Sequence, residues 1–214
     1  MSDEAQTAGA RLNVLLASAG LEQLEPPQSV SFEEYLSLIL RWNARVNLTA
    51  IRDEEGILSR HFVESITCAR SLPAGIATLL DFGSGAGFPG IPIALCRPEI
   101  AVTLAESQGK KAAFLHEAVR LLGIGANVYS GRGETLKTQF DCVTLRAVDR
   151  MQEATKAASR LVRPGGWLAP MTTRADLAAL EAAAGREYSW ELILPLAGGE
   201  DRVVAIGKRI SLPA

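Results

Sequence analysis

The sequence predicts an α/β protein: a doubly wound, mostly parallel sheet of seven strands with an N-terminal helical extension. Three observations lead to this prediction. Apolar residues recur at helical spacing up to residue 72, short apolar runs alternate with helical stretches from residue 76 onward, and a glycine-rich turn follows the first run. The pattern therefore divides the chain into a helical extension, residues 1–72, and a sheet domain, residues 73–214.

The extension is predicted to contain three helices. The first covers roughly residues 8–19, and Pro26 and Pro27 separate it from the second. In the second helix Ser31 and Glu34 match a capping box, and the buried stripe consists of Tyr35, Leu36, Ile39, Leu40 and Trp42. The third begins after Asp53 as its N-cap, and its inward face consists of Ile57, Leu58, Phe62, Ile66 and Ala69.

Seven apolar runs in the sheet domain are predicted to be strands. They are ATLLDF, AVTLAES, NVYSG, FDCVTLRAV, GGWLAPM, ELILPL and RVVAIGKR. Helical stretches between most of these runs indicate parallel pairing. The last two runs have no helix between them, so we expect them to form an antiparallel hairpin across PLAGGEDR.

Composition excludes several classes of protein. The 214 residues are 48% hydrophobic and 21% charged with a formal net charge of −2, so the chain can bury a core and does not coat nucleic acid by bulk attraction. Cys68, Cys96 and Cys142 lie far apart, which indicates buried thiols in a reducing compartment and no metal site. The polar start MSDEAQ and the lack of an apolar run of ~20 residues predict a cytoplasmic protein.

The stretch LLDFGSGAGFPGIPIAL, residues 79–95, places glycines between a predicted strand and a helix whose first position is Pro89. Glycine permits positive φ and close approach of a ligand, and a helix N-terminus favours negative charge, which is typical of a nucleotide-like cofactor site. Gly83, Gly85 and Gly87 match the turn of enzymes that bind S-adenosylmethionine (SAM). Gly85, Gly87 and Gly90 match the dinucleotide fingerprint instead.

Two carboxylates accompany these glycines. Asp81 precedes the turn and is expected to orient it by accepting bonds from backbone N–H groups. Glu106 ends the second strand, where a carboxylate would accept hydrogen bonds from both ribose hydroxyls of an adenosine; the alternative is a solvated strand end. The residues after Glu106 complete the sheet and leave no room for the substrate domain of a dehydrogenase, so SAM is favoured over NAD.

Motifs in a fixed order make a family resemblance specific. They are RWNARVNLTAIRD followed by HFVESI, DFGSGAGFPGIPIA with RPE, LAESQGKKAAFL, GRGE, and FDCVTLRAV. With these motifs the chain resembles the RsmG/GidB family of bacterial 16S ribosomal RNA guanine-N(7) methyltransferases. The resemblance implies a SAM-dependent methyltransferase with a Rossmann-like sheet, acting on one guanine in the decoding region of 16S rRNA.

The resemblance also implies the residues of the site. Gly83, Phe88, Gly133, Glu134 and Arg146 match positions that the family uses to hold SAM, and with the turn and ribose residues the expected cofactor set is Gly83, Gly85, Gly87, Phe88, Glu106, Gly133, Glu134 and Arg146. Arg146 is the expected catalytic residue, pointing into the cleft between methyl donor and acceptor; a surface ion pair is its alternative role. Local RNA contacts are expected from Lys110, Lys111, Arg132 and Arg150, with Arg41, Arg45, Arg52 and Arg60 as further candidates.

The implied chemistry needs no catalytic base. Nitrogen 7 of guanine exposes a lone pair on the major-groove edge and attacks without losing a proton, so catalysis reduces to alignment of nucleophile and methyl group. The chain departs from the family at two places. Glu64 stands where the family often has Asp, and residues 170–173, PMTT, stand where it commonly has a Lys after the fifth strand.

The resemblance implies 16S rRNA or the 30S subunit as partner, without DNA or a membrane, and we expect a monomer. Two alternatives from other classes stay open. One is a non-catalytic SAM- or nucleotide-binding module associated with the ribosome, and the other is an NAD-dependent oxidoreductase.

Overall fold

A computed structural model describes residues 6–197 and 201–210, and its centre is a seven-stranded sheet. The strands are β1 Thr78–Phe82, β2 Ala101–Ala105, β3 Asn127–Tyr129, β4 Phe140–Arg146, β5 Val162–Thr173, β6 Tyr188–Pro195 and β7 Arg202–Arg209. Their order is β3-β2-β1-β4-β5-β7-β6; the first five pair in parallel, and β7 pairs antiparallel with β5 and β6. The predicted fold class and final hairpin are confirmed.

Helices cover both faces of this sheet. They are α1 Ala8–Ser18, α2 Pro26–Asn43, α3 Glu54–Gly56, α4 Glu64–Ser71, α5 Gly90–Cys96, α6 Gly109–Leu122, α7 Met151–Ser159 and α8 Arg174–Ala184. A π-helix, Ile57–Val63, joins α3 to α4, and a short 3₁₀ helix, Gly133–Thr135, lies between β3 and β4. The helical character of the extension is therefore confirmed, with a π-helical stretch that periodicity did not indicate.

The predicted helix starts had different outcomes. Asp53 is an N-cap as expected, since its carboxylate accepts the N–H of Gly56 at 2.7 Å. The capping box was wrong because α2 begins earlier, at Pro26, with proline in its first turn, where a missing N–H costs little. Ser31 lies inside α2, and its hydroxyl donates to the carbonyl of Pro27 at 3.1 Å. Pro89 is the N-cap of α5, which begins at Gly90.

An aromatic cluster joins the extension to the sheet domain. Its rings belong to Phe32, Tyr35, Trp42, His61, Phe62, Phe88 and Phe114. All of these rings except that of His61 belong to one continuous core with strand residues such as Leu79 and Leu104. Full burial of one such ring stabilises the fold by about 1.5–3 kcal/mol, so the extension is held firmly against the sheet.

The opposite face of the sheet has a smaller core. Side chains alternate along β1, so that Leu79 faces the aromatic side while Leu80 and Phe82 face α7 and α8. Those helices contribute small residues such as Ala154 and Ala184. Aromatic rings therefore pack against one face of the sheet, and small side chains of α7 and α8 pack against the other.

Two sequence features fall partly or wholly outside the described residues: the N-terminal stretch, residues 1–5, and the centre of the β6–β7 turn, residues 198–200. Among the helices of the described part of the chain, none combines the length and apolar character required to cross a membrane.

Candidate functional site

The glycine turn, Gly83–Phe88, connects β1 to α5 with left-handed backbone. The φ angles are +74° at Gly83, +57° at Gly85 and +92° at Gly87, where a side chain would cause strain. A Cβ on Gly85 would meet only the carbonyl oxygen of Gly83, at 3.9 Å, whereas a Cβ on Gly87 would lie 2.7 Å from the hydroxyl of Tyr35. Gly85 therefore faces open space, and Gly87 packs against the extension.

Asp81 holds this turn from inside the sheet. Its Oδ2 accepts the Ser84 hydroxyl at 2.6 Å and the N–H of Gly90 at 3.1 Å, and its Oδ1 accepts the Thr144 hydroxyl at 3.0 Å. Burial raises the pKa of Asp81 to about 6, and the hydrogen bonds oppose that rise. The expectation that Asp81 bonds the backbone beyond β1 is confirmed.

Glu106 also bonds the glycine turn. The residue is 6% exposed, its Oε2 accepts the N–H of Gly85 at 2.9 Å, and its Oε1 accepts the N–H of Gln108 at 2.7 Å. The alternative of a solvated strand end was therefore wrong. Each carboxylate oxygen has a second lone pair, so the group retains acceptor capacity for hydroxyl donors.

The GRGE segment lies beside the carboxyl ends of β1 and β3. Gly133 is buried, and a Cβ there would lie 2.6 Å from the Phe82 ring, which explains why glycine is needed. Glu134 is exposed, and its Oε1 lies 3.7 Å from Arg132 Nη1. A cavity of about 430 Å³ adjoins Glu134 but does not include the glycine turn or Glu106. Glu134 is thus the one predicted cofactor residue that lines this cavity.

Arg146, at the end of β4, is largely buried rather than on the surface. Its side chain is 12% exposed, and Nη2 donates to Glu64 Oε2 and to the Arg60 carbonyl, both at 2.8 Å. The other Glu64 oxygen forms an ion pair with Arg202 of β7. Burial raises the pKa of Glu64, and the charges of Arg146 and Arg202 oppose that rise. We call Glu64, Arg146 and Arg202 the arginine network; it holds two positive charges and one negative charge.

The arginine network includes one of the two expected departures from the family pattern and lies beside the other. Glu64, at the position where an Asp was expected from the resemblance, is the carboxylate at its centre. In the PMTT segment of β5, Thr173 is the register partner of Arg202 in β7. The hydroxyl of Thr173 accepts the N–H of Asp176 at 3.2 Å and caps α8. Arg202 on the adjacent strand β7 therefore lies next to Thr173, in the segment where a lysine was expected from the resemblance.

The ring of His61 stacks on Phe88 with centroids 4.6 Å apart. Its Nε2 lies 2.7 Å from the Thr49 hydroxyl, while Nδ1 has no hydrogen-bond partner among the described residues. Burial, followed by the charges of Arg146, Arg60 and Arg202, lowers the pKa of His61 to about 3. The ring is therefore neutral at physiological pH.

The predicted residues follow the carboxyl ends of four neighbouring strands. The glycine turn follows β1, Glu106 follows β2, the GRGE segment follows β3, and Arg146 ends β4. Because parallel strands point the same way, these ends share one edge of the sheet, which we call the carboxyl edge. The expected RNA-contacting cations also lie after these strands: Lys110 and Lys111 in the first turn of α6, Arg132 before the 3₁₀ helix, and Arg150 before α7.

Sequence reasoning missed one neighbour of the turn. Val148, in the loop after β4, lies 2.9 Å from where a Cβ on Gly83 would be. The same loop holds Ala147 and Arg150 at φ values of +50° and +52°. No local pattern predicts left-handed backbone at an alanine or an arginine.

Comparisons with known proteins identify the family of the chain. The family model GidB, described as rRNA small subunit methyltransferase G, matches residues 28–192. A protein from Stenotrophomonas maltophilia (strain K279a), named ribosomal RNA small subunit methyltransferase G, is 39% identical over 94% of this chain and 95% of its own length. A protein of the same name from Roseiflexus sp. (strain RS-1) is 43% identical over 67% of this chain, which spans 64% of that protein.

Solved structures share the fold. A methyltransferase from Pyrococcus furiosus superposes with a TM-score of 0.62 at 14% identity, covering 85% of this chain and 100% of its own. A Thermus thermophilus 16S rRNA N2 G1207 methyltransferase, crystallised with SAM and guanosine, superposes with a TM-score of 0.55 at 17% identity, covering 72% and 42%. The fold is that of SAM-dependent methyltransferases. Together with the family model and the named relatives, it favours neither the oxidoreductase nor the non-catalytic module.

Proposed function

We propose, because the chain belongs to the GidB family of rRNA small subunit methyltransferases, that it transfers a methyl group from SAM to nitrogen 7 of a guanine in the decoding region of 16S rRNA. The observation that carries this proposal is Glu106, buried at the carboxyl edge with both oxygens fixed by backbone N–H groups beside a left-handed glycine turn.

The residues at this edge fit SAM. Glu106 would accept the ribose hydroxyls with the lone pairs that Gly85 and Gln108 leave free. Gly85 leaves open space for close approach of a ligand to the main chain. Gly133 and Glu134 would lie near adenine, while Gly83, Gly87 and Phe88 would complete the cradle. When bound, SAM supplies an electrophilic methyl group on a sulfonium centre.

The chain's own task is alignment. Nitrogen 7 of guanine carries its lone pair without a proton to remove, so the site needs no general base. Arg146 would orient the base and balance charge in the cleft, and Glu64 would hold the guanidinium in place. Lys110, Lys111, Arg132 and Arg150 would contact the RNA backbone from the carboxyl edge.

Further properties belong to the same proposal. The partner would be 16S rRNA, either free or within the 30S subunit, and the protein would act in the cytoplasm as a monomer. Residues 1–72 and 73–214 would be a helical extension and a SAM-binding domain, joined through the aromatic cluster.

Methyl transfer tests the proposal directly. Tritium-labelled SAM would be incubated with the protein and with 30S subunits or naked 16S rRNA from cells that lack the active gene. We expect labelled RNA, and one site of borohydride/aniline cleavage that marks N(7)-methylguanosine. Binding of SAM without transfer to either RNA would favour the non-catalytic module, and thermal stabilisation by NAD but not by SAM would favour an oxidoreductase.

A further inference from the structure

Tyr35 of α2 contacts the glycine turn from the helical extension. The residue is fully buried, and its hydroxyl donates to the carbonyl oxygen of Ala86 at 2.5 Å. The same hydroxyl would lie 2.7 Å from a Cβ on Gly87, and the ring centroid lies 5.5 Å from that of Phe88. One side chain therefore touches three consecutive residues of the turn.

The direction of this hydrogen bond is fixed by the chemistry around it. Burial, followed by the Asp81 carboxylate, raises the pKa of Tyr35 well above its ordinary value, so the phenol keeps its proton. A carbonyl oxygen only accepts, and Tyr35 is therefore the donor. The ring is held in place by Phe62, which stacks on it with centroids 5.3 Å apart and an interplanar angle of 11°.

The turn is thus held from two sides. From the sheet, Asp81 and Glu106 bond Ser84 and Gly85 near the start of the turn, and Asp81 also bonds Gly90 at the start of α5. From the extension, Tyr35 bonds the middle of the turn at Ala86. The middle contains Gly87 at φ +92°, whose N–H donates to the Ser84 carbonyl within the turn at 2.7 Å. The Tyr35 bond adds a contact from outside the turn, and without it part of the free energy of ordering this segment would be taken from the binding of the ligand.

We propose that Tyr35 is a positioning residue for the cofactor, which fixes the glycine turn through the carbonyl of Ala86. The helical extension is then part of the cofactor site and not only a surface for RNA. This inference rests on the proposed function, since it takes SAM as the ligand of the turn. Tyr35 acts through the turn's backbone and makes no contact with the reacting atoms.

The structure offers a matched control at the opposite face of the sheet. Tyr188 of β6 is also buried, and its hydroxyl donates to a backbone carbonyl, that of Ser159, at 2.7 Å. Tyr35→Phe and Tyr188→Phe thus remove the same chemical group from the same kind of bond. Only Tyr35 contacts the glycine turn.

Calorimetric titration with SAM and with S-adenosylhomocysteine compares the two variants. We expect Tyr35→Phe to raise both Kd values about tenfold, because a buried carbonyl loses its donor at the binding turn, and Tyr188→Phe to leave them within about twofold of wild type. In the methyl-transfer assay Tyr35→Phe should raise the KM for SAM, with kcat at saturating SAM and the KM for RNA unchanged.

A second variant separates positioning from general destabilisation. Phe62→Leu weakens the same aromatic cluster and leaves the hydroxyl in place, so its Kd for SAM should stay within about threefold of wild type. Equal Kd values in wild type and Tyr35→Phe, or an equal loss in Phe62→Leu, would overturn the inference. Wild type that binds SAM without methylating RNA would contradict the proposed function and leave the calorimetric result standing, whereas wild type that does not bind SAM would overturn both.

Discussion

The glycine turn and the arginine network lie at the same carboxyl edge but are held in different ways. At the turn, the carboxylates of Asp81 and Glu106 accept bonds from neutral backbone N–H and hydroxyl groups. In the network, one carboxylate lies between two guanidinium groups. The turn therefore offers acceptors to the hydroxyls of a sugar, while the network concentrates positive charge in a chain whose formal net charge is −2.

This difference would allow one edge of the sheet to bind two unlike partners. Neutral donors fix a carboxylate without neutralising it, which suits ribose recognition. Surplus positive charge in a buried place attracts an electron-rich base or a phosphate. Substitutions at the glycine turn should therefore change SAM binding, and substitutions in the arginine network should change methyl transfer.

The largest effect is expected from Arg146→Ala. Methyl transfer should fall by at least about 100-fold, near 2.7 kcal/mol, because a preorganised charge leaves the cleft. Breaking a buried ion pair also costs about 3–5 kcal/mol of stability, so the assay must be run where the variant is folded by circular dichroism. Burial of Arg146 beside Glu64 is the reason why this variant is expected to lose stability as well as activity. Activity within a few-fold of wild type in the folded variant would remove Arg146 from the catalytic role.

The second largest effect is expected from Glu106→Ala, which should weaken SAM binding rather than slow the methyl-transfer step. Loss of charge-assisted bonds to ribose is expected to cost about 1.5–3 kcal/mol, which weakens SAM binding on the order of 10- to 150-fold by calorimetry. The variant should also lose some stability, because the N–H groups of Gly85 and Gln108 lose their acceptor. Near wild-type affinity in a folded variant would place the ribose elsewhere.

Gly85→Val tests the turn without removing a charge. A Cβ at this position meets open space, so the expected loss of SAM affinity comes from occupying the ligand's approach and from strain at φ +57°. Calorimetry should show weaker binding than in wild type. Gly75→Val is a matched control, since Gly75 also has positive φ, +81°, with open space around it, and lies before β1. Equal SAM affinities in the two variants would contradict a cofactor role for Gly85.

A pH-dependent effect is expected from His61, beside the arginine network. Its pKa is about 3 in the folded protein, against an ordinary value near 6.5, so the unfolded chain binds the extra proton as pH falls below 6.5. His61 alone should therefore reduce the stability by about 1 kcal/mol on acidification from pH 7.5 to 5.5, while the raised pKa of Asp81 acts in the opposite direction. Urea unfolding of wild type and His61→Gln at both values should show the smaller drop in the variant. Equal drops would mean that His61 is not kept neutral by its surroundings.

The smallest effect is expected from replacing both Lys110 and Lys111 with Ala. Removing one interaction between a lysine and a phosphate should make the log–log dependence of RNA affinity on salt shallower by roughly one unit, so the double variant should change the slope by about one to two units. The two lysines lie in the first turn of α6, away from the arginine network. Filter binding across a salt series measures the slope, and an unchanged slope would put the path of the RNA elsewhere.

Local patterns in the sequence predicted the glycine turn well. The strand before it, the glycines and the Asp81 carboxylate lie within a few residues of one another, so spacing alone relates them. The arginine network was beyond such patterns, because Glu64, Arg146 and Arg202 come from three distant elements that only the sheet brings together. At Ser31 a local pattern was misleading. Its spacing to Glu34 matched a capping box, but α2 already begins at Pro26.

The aromatic cluster has a consequence for the newly made chain. Phe62 leaves the ribosome before Phe88 and Phe114 of the same cluster, and Phe114 follows Phe62 by 52 positions in the chain. Synthesis at about 5–20 residues per second makes this interval roughly 3–10 s. Throughout that time the extension has emerged with its apolar face uncovered, so the nascent protein passes through a stage at which a chaperone would find a binding surface that the finished molecule no longer has.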